Sequence, residues 1–163
     1  MVQTTFFDIL VYTRKLQYAW KYKDFHVSLC CNSKKDMEQQ LKYEEWFFQS
    51  DYDLETAQYM LQSERNIYCI FMCHLSLEKA LKGLFIKQFN EFPPKLHDLI
   101  YFVDRISLSL ENTHLDFLMW LNRMGIVTRY PEDLRNMIKL FSKEQTSDIY
   151  EQTKTIQQWL KQQ

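Results

Sequence analysis

The sequence contains very few of the residues that interrupt regular secondary structure. Among its 163 residues there are only two Gly and three Pro, whereas a chain of many β-strands needs such residues in its turns. A strand-rich fold is therefore disfavoured, and long helices are the simplest alternative. No apolar run approaches the roughly 18 residues that a membrane span requires. The first residues also lack the basic segment and the small-residue cleavage site of a secretory signal.

A strong charge of either sign is also absent, since the net charge is −1. Residues 1–36 carry six Lys or Arg against three Asp or Glu, and residues 37–163 carry fourteen against eighteen. Non-specific binding to nucleic acid depends on many phosphate contacts. The mildly acidic body of the chain therefore argues against a protein that coats DNA or RNA.

Cysteine is scarce, with four residues in the chain. Cys69 and Cys73 lie four residues apart in an apolar helical pattern, which favours small buried side chains. A zinc site would need two further ligands at suitable spacing. We therefore predict neither a metal nor a cofactor. Free thiols fit a reducing compartment, and we expect a cytoplasmic protein without a membrane segment.

Apolar residues from Met37 onward repeat at the three- and four-residue spacing of buried helix faces. Two long helices are predicted, over residues 37–62 and 66–88. Residues 1–36 are more basic, rich in aromatic residues and poorly periodic. We interpret them as an N-terminal extension of a helical domain that occupies residues 37–163. An upstream start and a docked extra helix are both open explanations of this extension.

Three shorter helices are predicted in the second half of the chain from their capping residues. Asp98 and Thr113 are suitable N-terminal caps, and Ser142 forms a capping box with the glutamine three residues later. Gly125 is interpreted as the stop of the fourth helix, while the pattern of residues 133–140 is ambiguous. The expected fold is therefore an all-α, up-and-down bundle of five helices.

Three short motifs carry the polar residues that suggest a function. They are His74-Leu-Ser-Leu-Glu-Lys-Ala-Leu-Lys82, His97-Asp-Leu99 and Thr128-Arg-Tyr-Pro-Glu132. Arg is suited to phosphate recognition, Lys supplies a point charge, Tyr can stack on a base, and residues at the ends of elements often bind ligands. The candidate nucleotide- or partner-binding residues are Lys79, Lys82, His97, Arg129 and Tyr130.

His74 and Glu78 lie one turn apart on the predicted buried face of the second helix. A buried ionisable group costs free energy unless it is paired or hydrogen-bonded. Their structural interpretation is therefore a satisfied polar pair in the core of the bundle. Arg129 is a candidate to reach Glu78 as a buried ion pair, which would attach the late loop to the second helix.

Together, the three motifs make residues 37–163 resemble a HEPN domain (higher eukaryotes and prokaryotes, nucleotide-binding). One branch of that family carries a Gln-Ala-Ala-Glu-Lys-Ala-Leu-Lys helix, a His-Asp-Leu turn and an Arg-Tyr-Pro segment in the same order. His74 stands where this branch has Gln, and Leu75 and Ser76 stand where it has Ala. The resemblance implies a helical bundle that forms homodimers and often pairs with a small nucleotidyltransferase.

Some HEPN domains are ribonucleases that carry an Arg followed, after four to six residues, by a His. No Arg of this sequence has a His at that interval. We therefore expect no catalytic residue and a domain that binds a nucleotide or pairs with a minimal nucleotidyltransferase, as in toxin–antitoxin modules. Two alternatives stay open. One is an atypical, metal-independent ribonuclease built from Arg129, His97 and Tyr130, and the other is a purely structural dimerisation module.

Overall fold

The computed structural model describes residues 34–129 and 132–163, with side chains from residue 42 onward. Within these ranges the chain forms six α-helices and no β-strand. The helices are α1 (Lys34–Gln62), α2 (Asn66–Phe89), α3 (Leu99–Ile106), α4 (Asn112–Val127), α5 (Leu134–Leu140) and α6 (Lys143–Leu160). The all-α prediction is confirmed, and this part of the chain has one helix more than the five expected.

The additional helix, α5, forms in the segment whose sequence pattern is ambiguous. It begins after Asp133, whose carboxylate accepts a hydrogen bond from the backbone N–H of Asn136 at 3.0 Å. Met137 is its single buried residue. A short helix that buries one side chain has no apolar stripe, and periodicity could not reveal it.

Helix α2 is the centre of the bundle. It contacts all five of the other described helices, and most of its side chains from Ile67 to Ile86 are buried. A helix that is apolar on nearly all sides must be enclosed by others. Most polar side chains in the middle of α2 are therefore in the interior and must find their partners there.

A buried polar contact holds α1, α2 and α6 in register. The Ser50 hydroxyl donates to the backbone carbonyl of Ser76 at 2.7 Å, and the Ser76 hydroxyl donates to the carbonyl of Ser50 at 2.9 Å. The side-chain amide of Gln157 on α6 then donates to the Ser50 hydroxyl at 3.0 Å. All three side chains are buried, so their hydrogen bonds satisfy groups that water cannot reach.

Two of the predicted caps are confirmed. The carboxylate of Asp98 accepts hydrogen bonds from two backbone N–H groups in the first turn of α3. Ser142 forms the expected capping box at the start of α6. Thr113 is not the cap of α4, because the helix begins at Asn112 and its cap position is Glu111, two residues earlier, where no side-chain capping hydrogen bond is made.

The prediction for Gly125 is wrong, since this residue is buried inside α4 and the helix continues to Val127. Its role is close packing. A Cβ atom at this position would lie 2.6 Å from Nε2 of His74, which is closer than non-bonded atoms can come. Glycine is therefore required here by the neighbouring imidazole and not by a turn.

The predicted boundary between an extension and the helical domain stays a prediction. Residues 1–33 lie outside the described residues, and α1 begins at Lys34, close to the expected start at Met37.

Candidate functional site

A line of polar residues runs between α2 and α4. The α2 residues Phe71, His74 and Glu78 share one face of that helix, because they are three and four positions apart. Residues of α4 and of its C-terminal end lie opposite this face. The Arg129 guanidinium, just beyond α4, is 5.2 Å from the centre of the Phe71 ring, and Gly125, within α4, packs against His74. We call the group of His74, Glu78, Lys82, His97, Asn122 and Arg129 the polar seam.

Glu78 is the centre of the polar seam and is only 2% exposed. Its Oε1 accepts a hydrogen bond from Nζ of Lys82 at 2.7 Å, and its two oxygens lie 3.1 and 3.0 Å from Nδ1 of His97. Burial by itself raises the pKa of the Glu78 carboxyl, but hydrogen bonds and charge from Lys82 and His97 outweigh that effect and hold the pKa below its usual value. Glu78 is therefore an ionised buried carboxylate.

The expected ion pair between Arg129 and Glu78 is not formed. In residues 42–129 and 132–163, no carboxylate oxygen lies within 4.0 Å of a nitrogen of Arg129. Lys82 and His97 occupy the carboxylate of Glu78 instead, and Arg129 rests on the Phe71 ring. The reason is local: Lys82 follows Glu78 by one helical turn, so it reaches the carboxylate at little cost in side-chain entropy.

The two lysines of the first motif do not project freely into solvent. Lys82 is buried at 5% exposure, with its ammonium group 5.5 Å from the ring centre of Trp46 as well as against Glu78. Lys79 is half-buried, donates to the side-chain oxygen of Gln49 at 2.9 Å and lies 5.4 Å from the same Trp46 ring. Lys82 therefore neutralises a buried carboxylate and is not available to a ligand.

His97 differs from Lys82 because its side chain is 58% exposed although one ring nitrogen is bound. Nδ1 faces Glu78, and Nε2 has no hydrogen-bond partner among the described residues. A carboxylate on one nitrogen fixes the orientation of the ring. The other nitrogen is thereby presented to solvent at the surface end of the polar seam.

His74 is almost completely buried, at 1% exposure. Its Nδ1 lies 4.0 Å from Oε2 of Glu78, too far for a hydrogen bond, and this nitrogen has no hydrogen-bond partner in the described part of the chain. Burial lowers the pKa of the His74 imidazole, and the positive charges of Arg129 and His97 lower it further, against the attraction of Glu78 and a hydrogen bond with the Asn122 side chain. The expected satisfied pair of His74 and Glu78 is therefore incomplete, because other cations have taken the carboxylate.

Asn122 is a member of the polar seam that the sequence motifs do not include. Its Oδ1 accepts the backbone N–H of Leu99 at 2.9 Å, and its Nδ2 donates to Oδ1 of Asp98 at 3.1 Å. A signal for it existed in the spacing, because Asn122, Gly125 and Arg129 follow one another at intervals of three and four residues. No residue type marked it, since an isolated Asn in a helix is usually a surface residue.

The remaining predicted site residue, Tyr130, lies outside the described residues, and its role stays a prediction. Over the described ranges there is no group of three or more His, Cys, Asp or Glu placed to hold a metal ion. In the same ranges no helix has the length and apolar character needed to cross a membrane.

The fold and the polar seam define the class of protein: a small all-α bundle with a buried, ion-paired carboxylate on its central helix. The family model described as "HEPN domain" matches residues 43–163, which include all of α2–α6. The chain therefore belongs to the HEPN domain family.

Two solved structures share this fold. TT1696 from Thermus thermophilus superimposes with a TM-score of 0.65 at 17% identity, over 74% of this chain and 97% of that one. ST0689, described as an archaeal HEPN homologue, gives a TM-score of 0.56 at 21% identity, over 73% of this chain and 94% of that one. At these identities the likeness concerns the fold alone. No curated protein matches the sequence.

Proposed function

We propose that this protein is a non-catalytic HEPN domain that binds a nucleotide through a phosphate group, where His97 and Arg129 reach the surface of the polar seam. The proposal rests on a difference between two cations of the polar seam, of which one is paired with a carboxylate and the other is not. Lys82 is buried and paired with Glu78, whereas Arg129 has no carboxylate within ion-pair distance among the described residues.

The surroundings of Arg129 suit phosphate recognition. Its guanidinium lies on the face of the Phe71 ring, which orients the planar group and leaves the N–H donors at its edge clear of the ring. Such an edge can donate two parallel hydrogen bonds to a phosphate. His97 supplies a second donor when its ring is protonated, because Glu78 holds Nδ1 and leaves Nε2 for the ligand.

These contacts narrow the set of candidate ligand residues. Lys82 is committed to Glu78, and Lys79 is held by Gln49, so neither is proposed as a direct phosphate ligand. Arg129 and His97 are proposed as the phosphate contacts. Tyr130 follows Arg129 directly in the chain and is retained as the candidate for stacking on a base.

The proposal is tested by a thermal-shift titration of the purified protein against ATP, GTP, CTP, UTP and AMP. A ligand that binds only the folded state stabilises it by about 2.7 kcal/mol at a hundredfold excess over Kd. We expect at least one nucleotide to raise the melting temperature, and we expect Arg129→Ala and His97→Ala to abolish the shift. Arg123→Ala is the matched control, because Arg123 is an exposed arginine on α4.

A shift that survives Arg129→Ala, or no shift with any nucleotide, would contradict the proposed site. In the second case the polar seam would be a structural feature of the core, and a partner-binding or structural role would be favoured over nucleotide binding.

Pairing with a minimal nucleotidyltransferase is the second part of the proposal, and family membership is what supports it. If a nucleotidyltransferase gene lies beside the gene for this protein, the two products are expected to co-purify when expressed together. Light scattering on the protein alone tests the homodimer that the family implies. A monomeric protein that does not co-purify with the neighbouring nucleotidyltransferase would contradict both expectations.

One observation favours a second function, a metal-independent ribonuclease. A carboxylate that holds one nitrogen of an exposed imidazole is the arrangement of a general base and its orienting group, and Glu78 and His97 have this geometry. RNA cleavage in the presence of EDTA that is lost in both His97→Ala and Arg129→Ala would replace the non-catalytic proposal. Cleavage unaffected by either change would indicate a contaminating nuclease.

A further inference from the structure

We infer that Asn122 is a positioning residue for the proposed nucleotide site: its side-chain amide holds the turn that carries His97, so that the imidazole meets Glu78 and presents its other nitrogen to the ligand. The inference rests on the proposed function for its consequence in binding. The placement of His97 can be measured without any ligand.

The amide of Asn122 contacts both residues that directly follow His97. Its Nδ2 donates to Oδ1 of Asp98 at 3.1 Å, and its Oδ1 accepts the backbone N–H of Leu99 at 2.9 Å. Through these two hydrogen bonds the start of α3 is tied to the middle of α4. His97 is one residue away from this attachment, so its Cα position depends on it.

The other anchors near His97 are the buried side chain of Leu99 and the backbone hydrogen bond from Leu96 to the carbonyl of Pro94 at 2.8 Å. The segment between Asn90 and Asp98 contains no helix or strand, and the His97 side chain is more than half exposed, so packing restrains it weakly. The described contacts of this side chain are its hydrogen bonds to Glu78 on α2. Geometry at the site therefore depends on Glu78 from one side and on the Asn122 attachment from the other.

The donor and acceptor of Asn122 are both used, and this explains why an amide is needed. Oδ1 of Asp98 also accepts the backbone N–H groups of Ile100 and Tyr101, at 2.9 and 3.2 Å. A carboxylate at position 122 would keep the acceptor for Leu99 but would face the carboxylate of Asp98. An alanine would remove both hydrogen bonds.

A reciprocal exchange of the two side chains separates positioning from general stability. In Asn122→Asp the two carboxylates repel. In the double variant Asp98→Asn with Asn122→Asp, the repulsion between two carboxylates is removed, the carboxylate at position 122 can still accept the N–H of Leu99, and Asn remains a good helix cap. We therefore expect the single variant to lose the His97 geometry and the double variant to recover it.

The first measurement is ligand-free proton NMR of the Nδ1–H of His97, assigned with His97→Gln. Because this proton is shared with buried Glu78, we expect a signal that exchanges slowly with water in the wild type. The signal is expected to disappear in Asn122→Ala and Asn122→Asp and to return in the double variant. The matched control is Asn136→Ala, because Asn136 likewise donates to a helix-cap carboxylate, that of Asp133 at 2.6 Å, but away from His97.

The second measurement is the affinity for AMP by calorimetry. We expect Asn122→Ala to weaken binding about tenfold, which corresponds to ~1.4 kcal/mol, and Asn136→Ala to leave it unchanged. If the wild type does not bind AMP, the proposed nucleotide site fails for this probe, while the NMR signal still decides the positioning role.

A His97 signal that persists in both Asn122→Ala and Asn122→Asp would overturn the inference. If Asn122→Ala does not fold, the single and double exchange variants decide the question. Recovery in the double variant alone supports positioning, and equal signals in both contradict it.

Discussion

Replacing Gly125 by Ala is expected to destabilise this protein, although the same change at an exposed helix position stabilises by about 1 kcal/mol. Gly125 is buried within α4. A Cβ atom there would lie 2.6 Å from Nε2 and 2.7 Å from Cγ of His74. The His74 ring is 1% exposed, so it has no open space into which it can move.

The magnitude follows from two opposing effects. Overpacking a core by a methyl group costs about 1–3 kcal/mol, and a ring that cannot move places Gly125→Ala at the upper end. The gain in helix propensity offsets about 1 kcal/mol of this cost. The net loss is then about 2 kcal/mol, which for a domain of this size lowers the melting temperature by about 4–8 °C.

The assay is urea unfolding of Gly125→Ala, His74→Ala and the double variant, which form a double-mutant cycle. With the imidazole absent, Gly125→Ala is expected to become neutral or stabilising. Gly83→Ala is a useful comparison, because a Cβ there would meet the Phe47 ring at 2.7 Å, but Phe47 is only half-buried. Its ring can turn aside, and we expect a smaller loss.

Two results would refute this reasoning. Gly125→Ala that stabilises the wild type would show that His74 does not occupy the space beside α4. An equal loss in the wild type and in the His74→Ala background would show that the clash is with some other group.

Three further predictions concern the charges of the polar seam and the adjoining cap of α3. Glu78→Gln leaves the buried ammonium of Lys82 unpaired and should lower the free energy of unfolding in urea by about 3–5 kcal/mol. Adding Lys82→Met should recover much of this stability. A double variant as unstable as Glu78→Gln would contradict the pairing. The pKa values of His74 and Glu78 are lowered in the fold, so the unfolded chain binds more protons as the pH falls. The free energy of unfolding should be highest above the usual His pKa of 6.5 and should decline below it as His74 protonates in the unfolded chain. It should decline again below the usual Glu pKa of 4.5, and Glu78→Gln should remove this second decline. A melting temperature that stays constant from pH 7 to pH 4 would contradict the prediction. Asp98→Ala removes the cap of α3 and should lower the free energy of unfolding by about 1 kcal/mol. A loss below a few tenths of a kcal/mol in thermal unfolding would show that the cap is dispensable.

Much of the fold could be predicted because its signals are local. The scarcity of Gly and Pro, the apolar spacing of the two long helices, and the caps at Asp98 and Ser142 all act within a few residues of one another. The helix at residues 134–140 was not predicted because only Met137 is buried. Gly125 was misread because its neighbour, His74, is distant in the chain.

The sequence motifs contain most residues of the polar seam, but they do not indicate the contacts between them. Glu78 and His97 were identified as polar residues to explain, and both lie in the polar seam. The sequence leaves Arg129 a candidate for pairing with Glu78 or for binding a ligand, and it makes Lys82 a candidate ligand residue. The structure pairs Lys82 with Glu78 and places Arg129 against the Phe71 ring. Asn122 cannot be recognised from the sequence, because its two hydrogen-bond partners lie more than twenty residues earlier in the chain.

The sequence by itself determined the two long helices and placed His74 and Glu78 on the buried face of α2, since both follow from spacing along one chain. Only the tertiary structure decided that Lys82 is buried with Glu78 and that Arg129 lies on the Phe71 ring, with no carboxylate partner among the described residues. That choice depends on distances between helices and on the cost of removing each charge from water. For Lys82 the i,i+4 spacing allows the pair with Glu78, but whether that pair is buried, and where Arg129 lies, cannot be read from sequence separation.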